Sequence, residues 1–344
     1  MTDRRANFLN DNRLVASARQ LFRAFQLLAG SVTGLTPVIR GDHARNLAKQ
    51  IADRRNLSFL ARFGLALHAR TFDRVPDLVQ QRAGAFILFS KAELRPVLVR
   101  IPVGTLPVEN LTGVTRLAES GAPAVFLTLG FLGAMAPISD WFAAATPYWG
   151  RARVVAGEAA EAIVKWLTYS DGQGSSPREP PLTVRKHLYS GGLFFNAINF
   201  ALAHEYAHVL LDYMRREGES AWVDSVTLES VEDTQMNDEL KADVLASYLA
   251  LSVASNPMNF HSTLREGAAG IELVLQIDRV AEQLRVRGTV SGHPPASLRL
   301  AAVHAAWKQL YSMDLEGYVA PVTSCGQTAV EHATALREHR DPTE

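Results

Sequence analysis

FFNAINFALAHEYAHVLLDY, residues 194–213, is the stretch from which the rest of the chain is read. It holds His204-Glu205-Tyr206-Ala207-His208, an H-E-x-x-H. On an α-helix, positions i and i+4 stand one above the other on one face, so both imidazoles can reach a single metal ion. Glu205, next to the first histidine, can then sit beside the metal's open position and take a proton from water. A helix is expected, because no Pro or Gly interrupts residues 193–216 and the run is apolar almost all round. Two histidines and a glutamate in so apolar a helix are costly without partners. A metal provides such a partner; hydrogen-bonded core histidines are the plain alternative.

The partner motif lies downstream. Residues 239–253, ELKADVLASYLALSV, read as a second helix with Asn237 or Asp238 as its cap. Glu239 and Asp243 are four apart and share a face. A catalytic zinc usually has three protein ligands and one water, so two histidines leave it one short. Glu239 is the candidate third ligand, and Asp243 could accept a hydrogen bond from the free ring nitrogen of a ligand histidine. Helix-dipole preference alone accounts for Asp238 and Glu239 in a first turn. It does not account for Asp243, which is flanked by Ala242, Val244, Leu245 and Ala246.

H-E-x-x-H followed by E-x-x-A-D resembles the gluzincin metallopeptidases. The resemblance implies zinc bound by His204, His208 and Glu239, Glu205 as general base, and Asp243 supporting a ligand histidine. A third element, Ser291-Gly292-His293-Pro294-Pro295 with Arg299 a turn later, resembles the H-P-x-x-x-x-R element of the CAAX-processing and membrane heat-shock proteases. Pro295 suits a helix start, and His293 just before it could donate to a developing oxyanion. The alternative is a helix-start histidine with Arg299 in a surface ion pair. The resemblance spans about residues 204–299. Small bacterial zincins that cut one particular host protein, such as phage-exclusion peptidases, are a looser likeness.

The 344-residue chain as a whole sets limits. Lys plus Arg equals Asp plus Glu at 35 each, which gives no basic excess to hold nucleic acid. Cys325 is the only cysteine, which suits a reducing compartment, and the charged N-terminus has no apolar signal region. Residues 122–138 are almost wholly apolar, but Pro123, Gly130, Gly133 and Pro137 interrupt them, and a buried core segment is expected rather than a membrane span. Helices are expected over residues 12–28 and 42–63, strands at 85–90 and 96–101, and helices over 108–120, 158–168, 270–284 and 298–310. Residues 170–181, SDGQGSSPREPP, read as a linker or exposed loop, and the acidic stretch 215–238 as a solvated loop or a rim to the site. His43, His68 and His187 lack ligand-like spacing, His304 reads as packed, and His332 and His339 belong to the C-terminal tail. The last dozen residues read as a frayed helix or tail.

The expected fold is α+β, mostly α. An N-terminal α/β region of unknown role (1–170) is followed by a linker or loop (171–182), a zincin-like metallopeptidase domain (183–312) and a C-terminal tail (313–344). The implied activity is that of a cytoplasmic zinc metalloendopeptidase cutting a specific protein target, with no nucleic-acid partner. In zincins an edge strand walls the cleft, and residues 183–188 or a strand further upstream would supply it. Two other readings stay open: an inactive zincin-fold binding or regulatory protein, and a membrane-associated processing peptidase held through about residues 121–139.

Overall fold

The computed structural model describes residues 79, 82–84, 86–88, 90, 94–99, 101, 103–106, 113–117, 123–147, 155–168, 180, 182–217, 234–255, 263–284, 293–311 and 314–340. The helices expected over 12–28 and 42–63, most of the 170–181 segment and residues 218–233 of the acidic stretch lie outside the described residues. What is described is mostly helical with one small sheet, the α+β, mostly α class expected.

Neither of the two strands expected before residue 102 is seen among the described residues, which include helical turns instead. Residues 86–88 are helical, and the Ser90 N–H and hydroxyl both donate to the Phe86 carbonyl, at 2.9 and 2.6 Å. Helix α1 (Arg95–Leu98) follows, with Pro96 at its start and Val97 and Leu98 buried. Short apolar runs fit either a strand or a buried helix, and a proline in the first helical turn costs nothing.

The sheet is built from β1 (Val103–Leu106), β2 (Gly113–Leu117) and β3 (Pro123–Thr128), in the order β1-β3-β2. β1 runs parallel to β3, with Val103 opposite Val125, and β2 runs antiparallel, with Thr115 opposite Val125. β2 occupies part of the region expected to be a helix over 108–120. Val125, Phe126 and Leu127 of central β3 are fully buried. Thr128 ends this strand and caps α2 (Leu129–Ala145), its hydroxyl accepting from the Phe131 N–H at 3.2 Å. That cap divides the apolar run 122–138 into a core strand and a core helix. No helix among the described residues is long and apolar enough to cross a membrane.

Helix α3 (Ala156–Thr168) buries Ala159, Ile163, Val164 and Leu167, the stripe expected of it. Helix α4 (Val184–Glu217) is the axis of the fold. Its 34 residues span roughly 50 Å at 1.5 Å per residue, and it packs against the sheet, α2 and the next two helices. It begins nine residues before the motif run, so residues 184–188 are helical rather than an edge strand. Lys186 is buried, with its Nζ 2.6 Å from the Ala144 carbonyl and 3.1 Å from that of Thr146. A cation there meets the negative end of α2.

Four more helices complete the described chain: α5 (Thr234–Ala254), α6 (Leu264–Gln283), α7 (Ala296–Leu310) and α8 (Leu315–Arg340). Asn237 and Asp238 lie inside α5 rather than capping it. α6 starts earlier than its hydrophobic pattern suggests, because Thr263 and Glu266 form a reciprocal capping box. Two glycines set how closely α6 approaches α4 and α5. A Cβ on Gly270 would stand 2.5 Å from the Asn196 Cβ, and one on Gly267 2.7 Å from the Ala254 Cβ. Far from being a frayed tail, α8 packs on α6 and α3 and buries Leu315, Val319, Val322, Cys325, Ala329 and Ala333. A continuous apolar core joins sheet and helices from Val79 to Ala333, with members on both sides of residues 171–182.

Candidate metal centre

Four helices bring charged side chains together at the middle of α4. His204 and His208 lie one turn apart, with ring planes at 90° and their Nε2 atoms 3.2 Å apart. α5 packs alongside and places Glu239 Oε2 at 3.5 Å from His204 Nε2 and 3.6 Å from His208 Nε2. These three residues could hold a metal ion. A tetrahedral ion with ligand bonds of about 2.0–2.1 Å keeps its ligands roughly 3.3–3.4 Å apart. The observed triangle of 3.2, 3.5 and 3.6 Å matches that span with the backbone as it stands.

The supporting residues explain which nitrogen faces the centre. His204 Nδ1 lies 2.9 Å from Asp243 Oδ1. With the Nδ1 proton turned to Asp243, a neutral ring would keep its lone pair on Nε2. Asp243 is fully buried and would be intolerable alone in an apolar stretch. Arg299 is its counter-ion, donating from Nε to Oδ2 at 2.7 Å and from Nη2 to Oδ1 at 2.8 Å in a two-pronged fork. The remaining guanidinium nitrogen reaches Asp278 Oδ2 at 2.8 Å. Arg299 is thus a buried residue joining α5, α6 and α7, and the surface ion pair considered for it is corrected.

Burial and charge act against each other at the centre. Burial opposes a proton on His204, but Asp243 and Glu239 outweigh it and raise the ring to about 10. Burial and the neighbouring His204 charge push His208 the other way. Burial also disfavours ionised Glu239 and Asp243, yet the histidines around the first and Arg299 and His204 beside the second hold both below the usual carboxylate range. Two ring nitrogens 3.2 Å apart cannot both present bare lone pairs without repulsion. A proton shared between them, or a metal ion, would relieve this.

The other expected residues also reach the site. Glu205 is buried on α4, and Thr115 of β2 donates to it: the hydroxyl lies 2.7 Å from Glu205 Oε2 and 3.0 Å from its carbonyl oxygen. Nothing in the sequence singled out Thr115. His293, just ahead of Pro295 at the start of α7, has Nδ1 3.0 Å from Glu239 Oε2. Its Nδ1 therefore faces the Glu239 carboxylate, leaving Nε2 for any other contact. His304 packs away from this centre, against Trp307 and Glu272.

A family model described as Peptidase U49 matches residues 173–313, a span that includes every residue of this centre except Thr115. The likeness supports a peptidase family, hence a hydrolase, and implies a protein or peptide substrate. No curated protein and no solved structure matches the chain.

Proposed function

We propose that the chain is a zinc-dependent metalloendopeptidase of the gluzincin kind, with residues 183–312 as its catalytic part. The observation that carries this reading is the convergence of His204 Nε2, His208 Nε2 and Glu239 Oε2 at tetrahedral ligand spacing, backed by the buried Asp243–Arg299 pair. Bound zinc would supply a Lewis acid and lower the pKa of a water toward roughly 7. Glu205 takes the proton of the attacking water and passes it to the leaving amine. His293 steadies Glu239 through Nδ1 and offers Nε2 to the oxyanion, as the likeness of its H-P-x-x-x-x-R element to the CAAX-processing group suggests. β2, at the end of the strand order and against α4, takes the role of the cleft's edge strand. A buried lone Cys325 and a location in the reducing cytoplasm are compatible.

The presence of Glu205, held in place at the centre, favours catalysis over a purely binding role, because a structural zinc has no use for a base. The test is metal content and turnover on one preparation. Wild-type protein purified without added metal should carry about one zinc per chain. It should cut members of a broad peptide library, and a chelator should stop it. Glu205→Gln should keep the zinc and lose roughly 100- to 10,000-fold in turnover. Protein that neither carries zinc nor takes it up on titration sinks the proposal.

A further inference from the structure

We infer that Thr115 is a positioning residue for the Glu205 carboxylate, a role that rests on the peptidase reading of this site. The two residues are 90 positions apart and belong to different elements, yet the Thr115 hydroxyl lies 2.7 Å from Glu205 Oε2. It is the one hydrogen-bond donor described at that carboxylate. The same hydroxyl is 3.0 Å from the Glu205 backbone carbonyl, so it stays partnered if the carboxylate swings away.

Three features make this contact suitable for holding a base. Thr115 is the middle residue of β2, and its neighbours Val114 and Arg116 are registered opposite Phe126 and Ala124 of β3, which fixes its Cα. A β-branched side chain has few χ1 choices, so little rotamer freedom is lost in aiming the hydroxyl. A hydroxyl donating to a carboxylate makes a charge-assisted bond, stronger than one to a neutral acceptor. The contact engages Oε2 and leaves Oε1 as the oxygen that meets the water. A glutamate side chain has three rotatable bonds, and small displacements of a base cost much of its effect. The edge of the sheet thus sets the aim of a side chain carried by the helix.

A purely structural alternative exists: Thr115 could pin the sheet to α4 with no bearing on turnover. Thr115→Val removes the donor at nearly constant shape, and Thr115→Ser restores it. Metal content, melting temperature, kcat and KM would be measured for each, with the peptide library as substrate. Loss of one charge-assisted bond in the transition state corresponds to about a 10- to 100-fold fall in kcat. Thr115→Val should show that fall with KM within about twofold of wild type and about one zinc retained, and Thr115→Ser should recover most of it. In a Glu205→Gln background, Thr115→Val should cost nothing further. An active, zinc-loaded wild type whose Thr115→Val variant keeps full kcat overturns the role and leaves the peptidase reading standing. So does a loss that Ser fails to rescue, or one that tracks metal content or melting temperature. A wild type without zinc or turnover overturns the peptidase reading, and this role with it.

Discussion

Among the described residues, two part-buried clusters pair histidine with carboxylate, and they differ in how their atoms point. In the first, His204, His208 and Glu239 turn three candidate ligand atoms toward one place. In the second, Glu272 of α6 is fully buried and each contact has a donor: Gln276 Nε2 at 2.8 Å, Thr323 Oγ1 at 2.7 Å and His304 Nε2 at 2.8 Å. His304 also lies 3.6 Å from Glu316, itself held by Lys308. The second cluster is complete and ties α6, α7 and α8 together. The first could hold a metal ion. Neither residue type nor burial separates a ligand set from a structural network here. The direction of the lone pairs does.

Metal analysis of matched variants would test that contrast most strongly. Glu239→Ala should lower bound zinc from about one per chain to near none, while His304→Ala should leave it unchanged. Zinc lost from the His304 variant and kept by the Glu239 variant would reverse the assignment. The next effect is on stability. Asp243→Ala leaves Arg299 buried with only Asp278 beside it and should cost about 3–5 kcal/mol in urea unfolding, with metal affinity down roughly 10- to 100-fold. Glu272→Gln should cost about 1–3 kcal/mol, and its metal affinity in a competition titration should equal that of wild type.

The smallest effect is a dependence on pH. Burial pushes the Glu272 carboxyl up, but hydrogen bonds and charge from His304, with Gln276 and Thr323, outweigh it and hold the group below its ordinary value of 4.5. A carboxyl lowered on folding stabilises the native state above its unfolded value and loses that stabilisation as pH falls through the folded one. The gap in urea midpoint between wild type and Glu272→Gln should be constant near neutrality and close below about pH 4.5. A gap that widens in acid would mean that Glu272 is not the ionised member of its cluster.

The sequence reveals these features unevenly, and the reason is distance along the chain. His204, Glu205 and His208 fall within five residues, and Glu239 and Asp243 within five more, so helical spacing alone displays each half of the centre. Arg299 could be noticed beside Pro295, but its burial depends on where Asp243 and Asp278 stand in space. Thr115 has no local signature, because its partner lies on another element. Its strand was hidden as well: Leu111, Val114 and Leu117 repeat every three residues, which imitates a helix over a five-residue strand. α8 was obscured by composition. Its buried stripe of Leu315, Val319, Val322, Cys325, Ala329 and Ala333 keeps helical spacing, but its members are mostly small, and Gly317, Pro321 and Gly326 break the pattern.

The glycines on either side of α6 carry a consequence for how this protein can vary. Gly267 and Gly270 hold it against α5 and α4, and on its other flank a Cβ at Gly326 of α8 would fall 2.6 Å from Gln276 Oε1. A methyl group at 270 meets backbone as well as side chain, with the Ala197 nitrogen 2.9 Å away, so no rotamer change can admit it. α6 therefore occupies a slot with no slack, and that slot sets the position of Asp278 two turns beyond Gly270. In a random library selected for folding, positions 267 and 270 should stay glycine while exposed Gly84 and Gly157, with nothing within 4 Å of a Cβ, accept many residues. Sequence drift in a lineage of such proteins would be channelled away from this helix, making its glycine spacing as durable a mark as the histidine motif itself.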